Sequence, residues 1–244
     1  MTDITIETQY GSLPAYVATP STPGPWPGVV VIHDLVGFTS DVKRHADWLA
    51  EEGYLAVAPN LFSWDKWRKC LKSSFQAVRT REGRQFDELE ATRAWVASQP
   101  GVTDKVGVIG FCMGGAYALL LAPDSDKYAA SSVNYGRIPE DAGELLKGGC
   151  PIIGLYGGAD RAIKDGGARF EAAAKEAGVV YEVNEYPGVG HSFMNKFEKG
   201  EAPIVFSTLE KMFGMGYREG PALDAQRRIT AFFAQHLKGQ QPVG

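Results

Sequence analysis

Cysteine is scarce in this chain of 244 residues, which contains only Cys70, Cys112 and Cys150. Three scattered cysteines are too few for a disulfide framework, and they lack the spacing of a zinc site. At least one of them must remain unpaired, so the reducing cytoplasm is the expected location. No bound metal is expected.

Long apolar runs and clusters of basic residues are absent as well. No window approaches the roughly 20 apolar residues that a membrane-spanning helix needs. The first residues alternate in polarity like a strand and lack the charged start and apolar stretch of a secretory signal. The formal net charge is −4, and the charged residues are spread along the chain. We therefore expect neither a nucleic acid nor a membrane as a partner.

What the chain does contain is a regular alternation of strand and helix patterns. Residues 4–8 and 13–19 alternate in polarity around Gly11 and Ser12, which predicts a hairpin. Residues 28–33 are mostly β-branched, as expected for a strand that is covered on both faces. Further strands are predicted at 54–59, 105–110, 129–134, 151–156 and 179–186, and helices at 40–52, at 85–99, directly after 110, at 166–177 and at 221–237.

This alternation predicts an α/β fold with a mostly parallel sheet and helices on both faces. One domain is expected over residues 1–244, because no fixed repeat and no low-complexity tract divides the chain. Residues 61–83 are rich in tryptophan and arginine, have little periodicity, and are a candidate for a segment that covers a pocket. In such folds, sites form beyond the carboxyl ends of the strands.

The most specific motif is Gly110-Phe111-Cys112-Met113-Gly114, between a predicted strand and an apolar helix. This G-x-C-x-G pattern is typical of a nucleophile elbow. The sharp turn needs flanking residues without side chains, and it places the middle residue at a helix N-terminus, where negative charge is favoured. The alternative is an inert buried thiol. A nucleotide-binding loop is not indicated, because neither G-x-G-x-x-G nor a Walker lysine is present.

A nucleophilic cysteine needs a base, and the base needs a group that orients it. His191 lies in a glycine-bearing loop just past a predicted strand, and Asp160 also lies just past a strand. The chain order Cys112, Asp160, His191 is the nucleophile–acid–histidine order of α/β hydrolases. A strand-end aspartate is often only a helix cap, but three such residues in the right order predict a catalytic triad.

From about residue 4 to residue 238, the chain resembles the dienelactone hydrolase family of α/β-hydrolase-fold enzymes. The segments that carry the resemblance are VVVIHDLVGF, APNLF, KVGVIGFCMGG, YGGAD and YPGVGHSF. The resemblance implies Cys112 as nucleophile with Asp160 and His191 as partners, an oxyanion hole formed by the backbone N–H groups of Met113 and Leu35, and no cofactor. The expected reaction is hydrolysis of a small-molecule ester or lactone through an acyl-enzyme, carried out by a monomer or a homodimer.

Asp34 lies where family members usually have a glutamate close to the nucleophile. In the family, this carboxylate is thought to take the thiol proton when substrate arrives. Aspartate is one methylene shorter, which removes roughly 1.5 Å of reach. Two roles therefore stay open for Asp34: the family's proton acceptor, or a buried carboxylate bonded to N–H groups of its loop.

A second departure concerns the substrate. The family holds a substrate carboxylate with arginines, one of them four residues after the histidine, where this chain has Asn195. Candidates for another are Arg79, Arg81 and Arg84, and Trp64 and Trp67 are candidates for the pocket mouth. The alternatives are a solvated charged face for the arginines and simple packing for the tryptophans.

These departures leave competing functions. A general carboxylesterase or thioesterase without carboxylate recognition is the nearest one. A hydrolase-fold protein that has lost catalysis, and that serves as a binding or redox-responsive module, belongs to another class, and an intact triad argues against it.

Overall fold

The computed structural model of the chain describes residues 1–202 and 215–240. Within these residues, eight strands form one sheet in the order β1-β2-β4-β3-β5-β6-β7-β8. The strands are Thr2–Thr8 (β1), Gly11–Ala18 (β2), Trp26–Ile32 (β3), Leu55–Pro59 (β4), Val102–Phe111 (β5), Ala130–Asn134 (β6), Ile152–Gly157 (β7) and Tyr181–Tyr186 (β8). β1 and β2 are antiparallel to their neighbours, whereas β4, β3, β5, β6, β7 and β8 run parallel to one another.

Helices connect the parallel strands. They are Ser40–Glu51 (α1), Trp67–Thr80 (α2), Arg84–Ala97 (α3), Met113–Leu121 (α4), Ala142–Leu145 (α5), Gly166–Ala177 (α6) and Glu219–Lys238 (α7). None of the helices in the described part of the chain is both long enough and apolar enough to cross a membrane. The predicted fold class, a mostly parallel sheet with helices on both faces, is confirmed. The single domain predicted over 1–244 extends over residues 203–214 and 241–244, which lie outside the described residues.

Two hydrophobic cores cover the two faces of the sheet. On one face, α3, α4 and α6 contribute residues such as Leu89, Tyr117 and Phe170. On the other face, α1 and α7 contribute residues such as Leu49 and Phe232. Because both faces are covered, β3 and β7 are apolar along their buried length, which is the pattern that made them recognisable in the sequence.

One local prediction needs correction, and one segment has more regular structure than its periodicity indicates. The hairpin turn lies at Gln9 and Tyr10, because Gly11 already begins β2 and pairs with Thr8. Residues 61–83 have little periodicity in the sequence, yet α2 occupies most of them. That this segment covers a pocket stays a prediction. The buried positions of α2 are Cys70, Ser74 and Ala77, which have helical spacing but small side chains. A stripe of such residues gives only a weak hydrophobic signal in the sequence.

Candidate active site

The candidate site lies at the carboxyl end of the parallel strands. Cys112 directly follows β5, and Asp34 follows β3 after one residue. Asp160 lies three residues beyond β7, and His191 lies in the loop after β8. Carboxyl ends of parallel strands meet at one edge of the sheet, so the topology brings these four loops together.

The turn at Cys112 has the shape that its sequence predicts. Cys112 has a φ of +54°, a value that side-chain-bearing residues rarely adopt and that often marks a functional site. A Cβ atom on Gly110 would lie 1.9 Å from the carbonyl oxygen of Gly114, and one on Gly114 would lie 2.3 Å from the carbonyl oxygen of Ile32. Both positions therefore exclude any side chain. Cys112 itself is partly exposed and immediately precedes the first residue of α4.

A continuous hydrogen-bonded chain joins Cys112, His191 and Asp160. His191 Nε2 lies 3.1 Å from Cys112 Sγ, and His191 Nδ1 lies 2.6 Å from Asp160 Oδ2. The other oxygen of Asp160 accepts hydrogen bonds from the N–H groups of Ala162 and Ile163. The carboxylate is thereby fixed in place, and it orients the imidazole ring toward the thiol.

The pKa values of His191 and Asp160 are shifted by the contacts between them and by Cys112. Burial alone disfavours the imidazolium form, but the negative charge of a Cys112 thiolate and the hydrogen bond to Asp160 raise the pKa of His191 to about 10. Burial also works against ionisation of Asp160, yet the bonds from His191 and from the loop N–H groups hold its pKa below the ordinary value. The arrangement therefore favours the imidazolium form of His191 and the ionised form of Asp160.

The two N–H groups expected to form the oxyanion hole are available. Met113 is the first residue of α4, so its N–H has no carbonyl one turn earlier to bond to. The N–H of Leu35 makes no hydrogen bond within residues 1–202 and 215–240. Leu35 is also held through its carbonyl oxygen, which accepts a 2.9 Å hydrogen bond from the indole of Trp67.

Asp34 bonds to its own loop and to Asn195. Its Oδ1 accepts from the N–H of Val36 at 2.7 Å, and its Oδ2 accepts from Asn195 Nδ2 at 2.9 Å. In the described part of the chain, no hydrogen bond joins Asp34 to Cys112, whose thiol contacts His191 instead. The geometry thus corresponds to the second role left open by the sequence, a buried carboxylate bonded within its loop.

Asn195 connects two buried carboxylates. Its Nδ2 donates to Asp34 and also to Asp41 Oδ2 at 2.6 Å, while its Oδ1 accepts from the hydroxyl of Tyr135 at 2.6 Å. Asp41 accepts further bonds from Arg44 and from the N–H of Lys196. All hydrogen-bonding atoms of the Asn195 amide therefore have partners, and the amide is 3% exposed.

The buried cluster of Asp34, Asp41 and Asn195 shifts the pKa values of its two carboxyl groups. Burial and the negative charge of Asp41 raise the pKa of Asp34 to about 7, against the opposing effects of the Val36 and Gly37 N–H groups and of His191. Burial likewise opposes ionisation of Asp41, but contacts with His45, Arg44 and Lys196 hold its pKa below the ordinary value.

Asp41 and Tyr135 were not identified from the sequence. Asp41 is in the first turn of α1, where an acidic residue is unremarkable. Tyr135 directly follows β6 and has a φ of +43°. The rule that directed attention to Asp160, a polar residue just past a parallel strand, would have selected Tyr135 too.

The predicted substrate-binding arginines have other partners. Arg81 forms an ion pair with Asp141 through two bonds of 2.5 and 2.6 Å, and Arg84 Nε lies 2.6 Å from Glu88 Oε1. The guanidinium of Arg84 also lies over the ring of Trp64, at 4.9 Å from its centroid. Arg79 is an exposed residue in the last turn of α2. Substrate contact by any of these four residues stays a prediction.

Among residues 1–202 and 215–240, no group of three or more His, Cys, Asp or Glu side chains is arranged to hold a metal ion. The polar groups at the site are instead committed to one another.

The model of the dienelactone hydrolase family matches residues 13–237. The chain belongs to the dienelactone hydrolase family. A candidate carboxymethylenebutenolidase of Methylorubrum extorquens is 28% identical over 251 residues, which cover 96% of this chain and 80% of that protein. A protein of the same description from Yersinia pestis is 28% identical and covers 99% of this chain and 90% of its own length.

Solved structures place this dienelactone hydrolase family member among α/β-hydrolase folds. A candidate dienelactone hydrolase from Klebsiella pneumoniae has a TM-score of 0.74 and 25% identity, and covers 96% of this chain and 98% of its own. The dienelactone hydrolase of Anabaena variabilis has a TM-score of 0.67 at 17% identity, covering 96% and 97%, and supports the fold alone. Family membership makes the chain a hydrolase of the ester and lactone type.

Proposed function

We propose that the protein hydrolyses an ester or lactone of a small molecule through an acyl-enzyme on Cys112. The observation that carries the proposal is the chain of two short contacts from Cys112 Sγ to His191 Nε2 and from His191 Nδ1 to Asp160. This is the arrangement of nucleophile, base and orienting acid that acyl transfer requires.

The proposed reaction has two steps. The thiol proton moves to His191 Nε2, and the thiolate attacks the substrate carbonyl. The N–H groups of Met113 and Leu35 bind the resulting oxyanion, and His191 then returns its proton to the leaving oxygen. In the second step, His191 takes a proton from water, which attacks the thioester and releases the acid and the free thiol.

The nucleophile restricts the substrate. A thiolate attacks a carbonyl readily but is also a good leaving group, so the tetrahedral intermediate can return to substrate. Enol lactones, aryl esters and thioesters have leaving groups that compete well with a thiolate, whereas amides do not. We therefore expect activated esters and lactones, and no amide hydrolysis.

The experiment is a chromogenic aryl ester assay on the wild type and on Cys112→Ala and His191→Ala. Members of a triad act as a unit, so each variant should lose at least about 10³-fold in kcat/KM while keeping the wild-type far-UV circular dichroism. Activity that survives in pure Cys112→Ala would remove the nucleophile assignment. A wild type without activity on any ester, lactone or thioester would favour the non-catalytic binding module.

A second candidate function is a carboxylesterase or thioesterase without carboxylate recognition. Asn195 cannot receive a substrate carboxylate, because both hydrogens of its amide already bond to Asp34 and Asp41. Arg81 and Arg84 are paired with acidic residues of their own. All three residues are thus already bonded to carboxylates of this chain.

Matched esters with and without a free carboxylate distinguish the two candidates. A higher kcat/KM for the neutral ester supports the general esterase, and a preference for the anionic one supports a dienelactone hydrolase-like substrate. The loss of activity in Cys112→Ala is common to both, so the substrate comparison tests specificity and leaves the nucleophile assignment to the first experiment.

A further inference from the structure

Trp67 lies at the start of α2 and reaches into the loop that follows β3. Its indole Nε1 donates a 2.9 Å hydrogen bond to the carbonyl oxygen of Leu35. The tryptophan is the first residue of α2, and its side chain is half-buried. No other partner of the Leu35 carbonyl occurs within residues 1–202 and 215–240.

The same loop is held at other points. Phe62 packs edge-on against His33, with ring centroids 4.8 Å apart, and its ring lies 3.1 Å from the position of a Cβ on Gly37. The side chain of Asp34 accepts a hydrogen bond from the N–H of Val36, two residues further along the loop. Leu35 lies between these contacts, and the indole of Trp67 is the side-chain donor that fixes its carbonyl.

We propose that Trp67 is a positioning residue for the oxyanion hole, acting through its hydrogen bond to the Leu35 carbonyl. The inference rests on the proposed function, in which the Leu35 N–H binds the oxyanion. The Leu35 carbonyl belongs to the peptide plane that follows its Cα, and the Leu35 N–H belongs to the plane that precedes it. The Trp67 bond fixes the first plane and the Cα that both planes share, and His33 Nδ1 lies 2.7 Å from the Asp34 carbonyl oxygen of the second plane. The residue does not touch the reacting atoms.

The hydrogen bond from Trp67 to Leu35 can affect the rate because an oxyanion-hole donor must be aimed precisely. An oxyanion-hole donor contributes about 10²–10³-fold to kcat when it is correctly aimed. A displacement of about 1 Å at the reacting centre can remove about 10²-fold. The Trp67 bond thereby also gives α2 a role, since it links a helix outside the triad loops to the donor that the chemistry uses.

The test is Trp67→Phe, which keeps an aromatic ring and removes the N–H donor. Trp26→Phe is the matched control, because Trp26 is also half-buried and also donates its indole N–H to a carbonyl, that of Thr22, at 3.0 Å. Trp26 begins β3, at the end of the strand opposite to Leu35. Two rates are compared in each protein: kcat/KM for an aryl ester, and alkylation of Cys112 by iodoacetamide.

Alkylation is informative because it uses the thiolate but forms no oxyanion. In Trp67→Phe, kcat/KM should fall about 10- to 100-fold. The alkylation rate should stay within about twofold of the wild-type rate, a much smaller change than the expected loss in kcat/KM. Trp26→Phe should keep both rates. The selective loss would mean that the oxyanion step is impaired while the nucleophile is intact.

Three results would overturn the proposal. One is a wild-type kcat/KM in Trp67→Phe, and another is an equal loss in Trp26→Phe. The third is a parallel loss of ester hydrolysis and alkylation, which would indicate a general disturbance of the site. Failure of the proposed function itself is distinguishable, because it would appear as activity in Cys112→Ala or as a wild type that hydrolyses no ester, lactone or thioester.

Discussion

The hydroxyl of Tyr135 donates a 2.6 Å hydrogen bond to Oδ1 of Asn195, in a site where both residues are buried. The ring of Tyr135 also packs edge-on against His191, with centroids 5.2 Å apart. One side chain thus contacts both the imidazole of the candidate triad and the amide that bridges Asp34 and Asp41. Tyr135 therefore connects the triad, through ring packing, to the hydrogen-bonded carboxylate cluster.

Removal of the Tyr135 hydroxyl should lower stability. In Tyr135→Phe, the Asn195 carbonyl loses its donor in a buried site, which costs about 1–3 kcal/mol of the free energy of unfolding. Tyr54→Phe is the control, because Tyr54 is fully buried and its hydroxyl has no partner within the described residues. Urea denaturation should show a lower free energy of unfolding for Tyr135→Phe and little or no change for Tyr54→Phe. Equal stabilities of the two variants would refute the importance of the Tyr135 bond.

Asp34 should make stability depend on pH. Its pKa in the folded protein is about 7, above the ordinary 3.8, so the folded state holds the proton more tightly than the unfolded state. Its contribution to stability is therefore fully present below about pH 4 and is lost as pH rises through about 7. A difference of about three pKa units corresponds to about 4 kcal/mol.

Asp34→Asn removes this ionisation, so its stability relative to wild type should rise between pH 4 and pH 8. Exposed Asp126→Asn provides the control and should follow the wild-type curve. Because the substituted amide also loses one acceptor, the informative quantity is the change in the difference with pH, not its value at one pH. A difference that stays constant across this range would show that Asp34 does not titrate there.

The four histidines should titrate very differently. Burial lowers the pKa of His33 to about 4, and it also lowers the pKa values of His45 and His236. His191 is raised to about 10 by Cys112 and Asp160 in spite of its burial. Nuclear magnetic resonance titration should therefore find His191 as the one cationic histidine at pH 8.

Cys112→Ala should lower the pKa of His191, because the thiolate charge that raises it is gone. His236 is distant in the chain on α7 and should titrate unchanged, which controls for a general effect of the substitution. A wild-type His191 that titrates near its ordinary value of 6.5 would contradict the raised pKa and its assignment to Cys112 and Asp160.

Removal of Arg81 and removal of Arg84 should have different effects on stability, because one ion pair is on the surface and the other includes a buried carboxylate. Arg81→Ala should change stability by less than about 1 kcal/mol, because its partner Asp141 is exposed. Arg84→Ala leaves the buried carboxylate of Glu88 without its partner and should cost more, about 3 kcal/mol. Thermal denaturation compares the two. If either substitution raises KM for an anionic ester only, that arginine binds substrate after all.

The parts of the candidate site that depend on neighbouring residues could be predicted from the sequence. The turn at Cys112 depends on neighbouring glycines within a few residues, and residues 106–111 of the preceding strand are a continuous apolar run, so both features are visible in one short segment. The order of Asp160 and His191 added two more local observations. Such features are encoded next to the residues that use them.

The carboxylate cluster could not be predicted in this way. Asp41 and Asn195 are separated by 154 positions, and neither has an unusual sequence context. Their contact follows from the packing of the loop after β8 against α1, which no local pattern encodes. The bond between Trp67 and Leu35 joins residues 32 positions apart and depends on α2, whose small buried residues hid its helical period.

The most direct measurement of the central claim is to locate the acyl group during turnover. The enzyme is mixed with an activated aryl ester, quenched in acid within the first turnover, digested, and analysed by mass spectrometry. The account predicts the added mass of the acyl group on the peptide that contains Cys112, and no such adduct in Cys112→Ala. An acyl group on another side chain, with Cys112 unmodified, would contradict it.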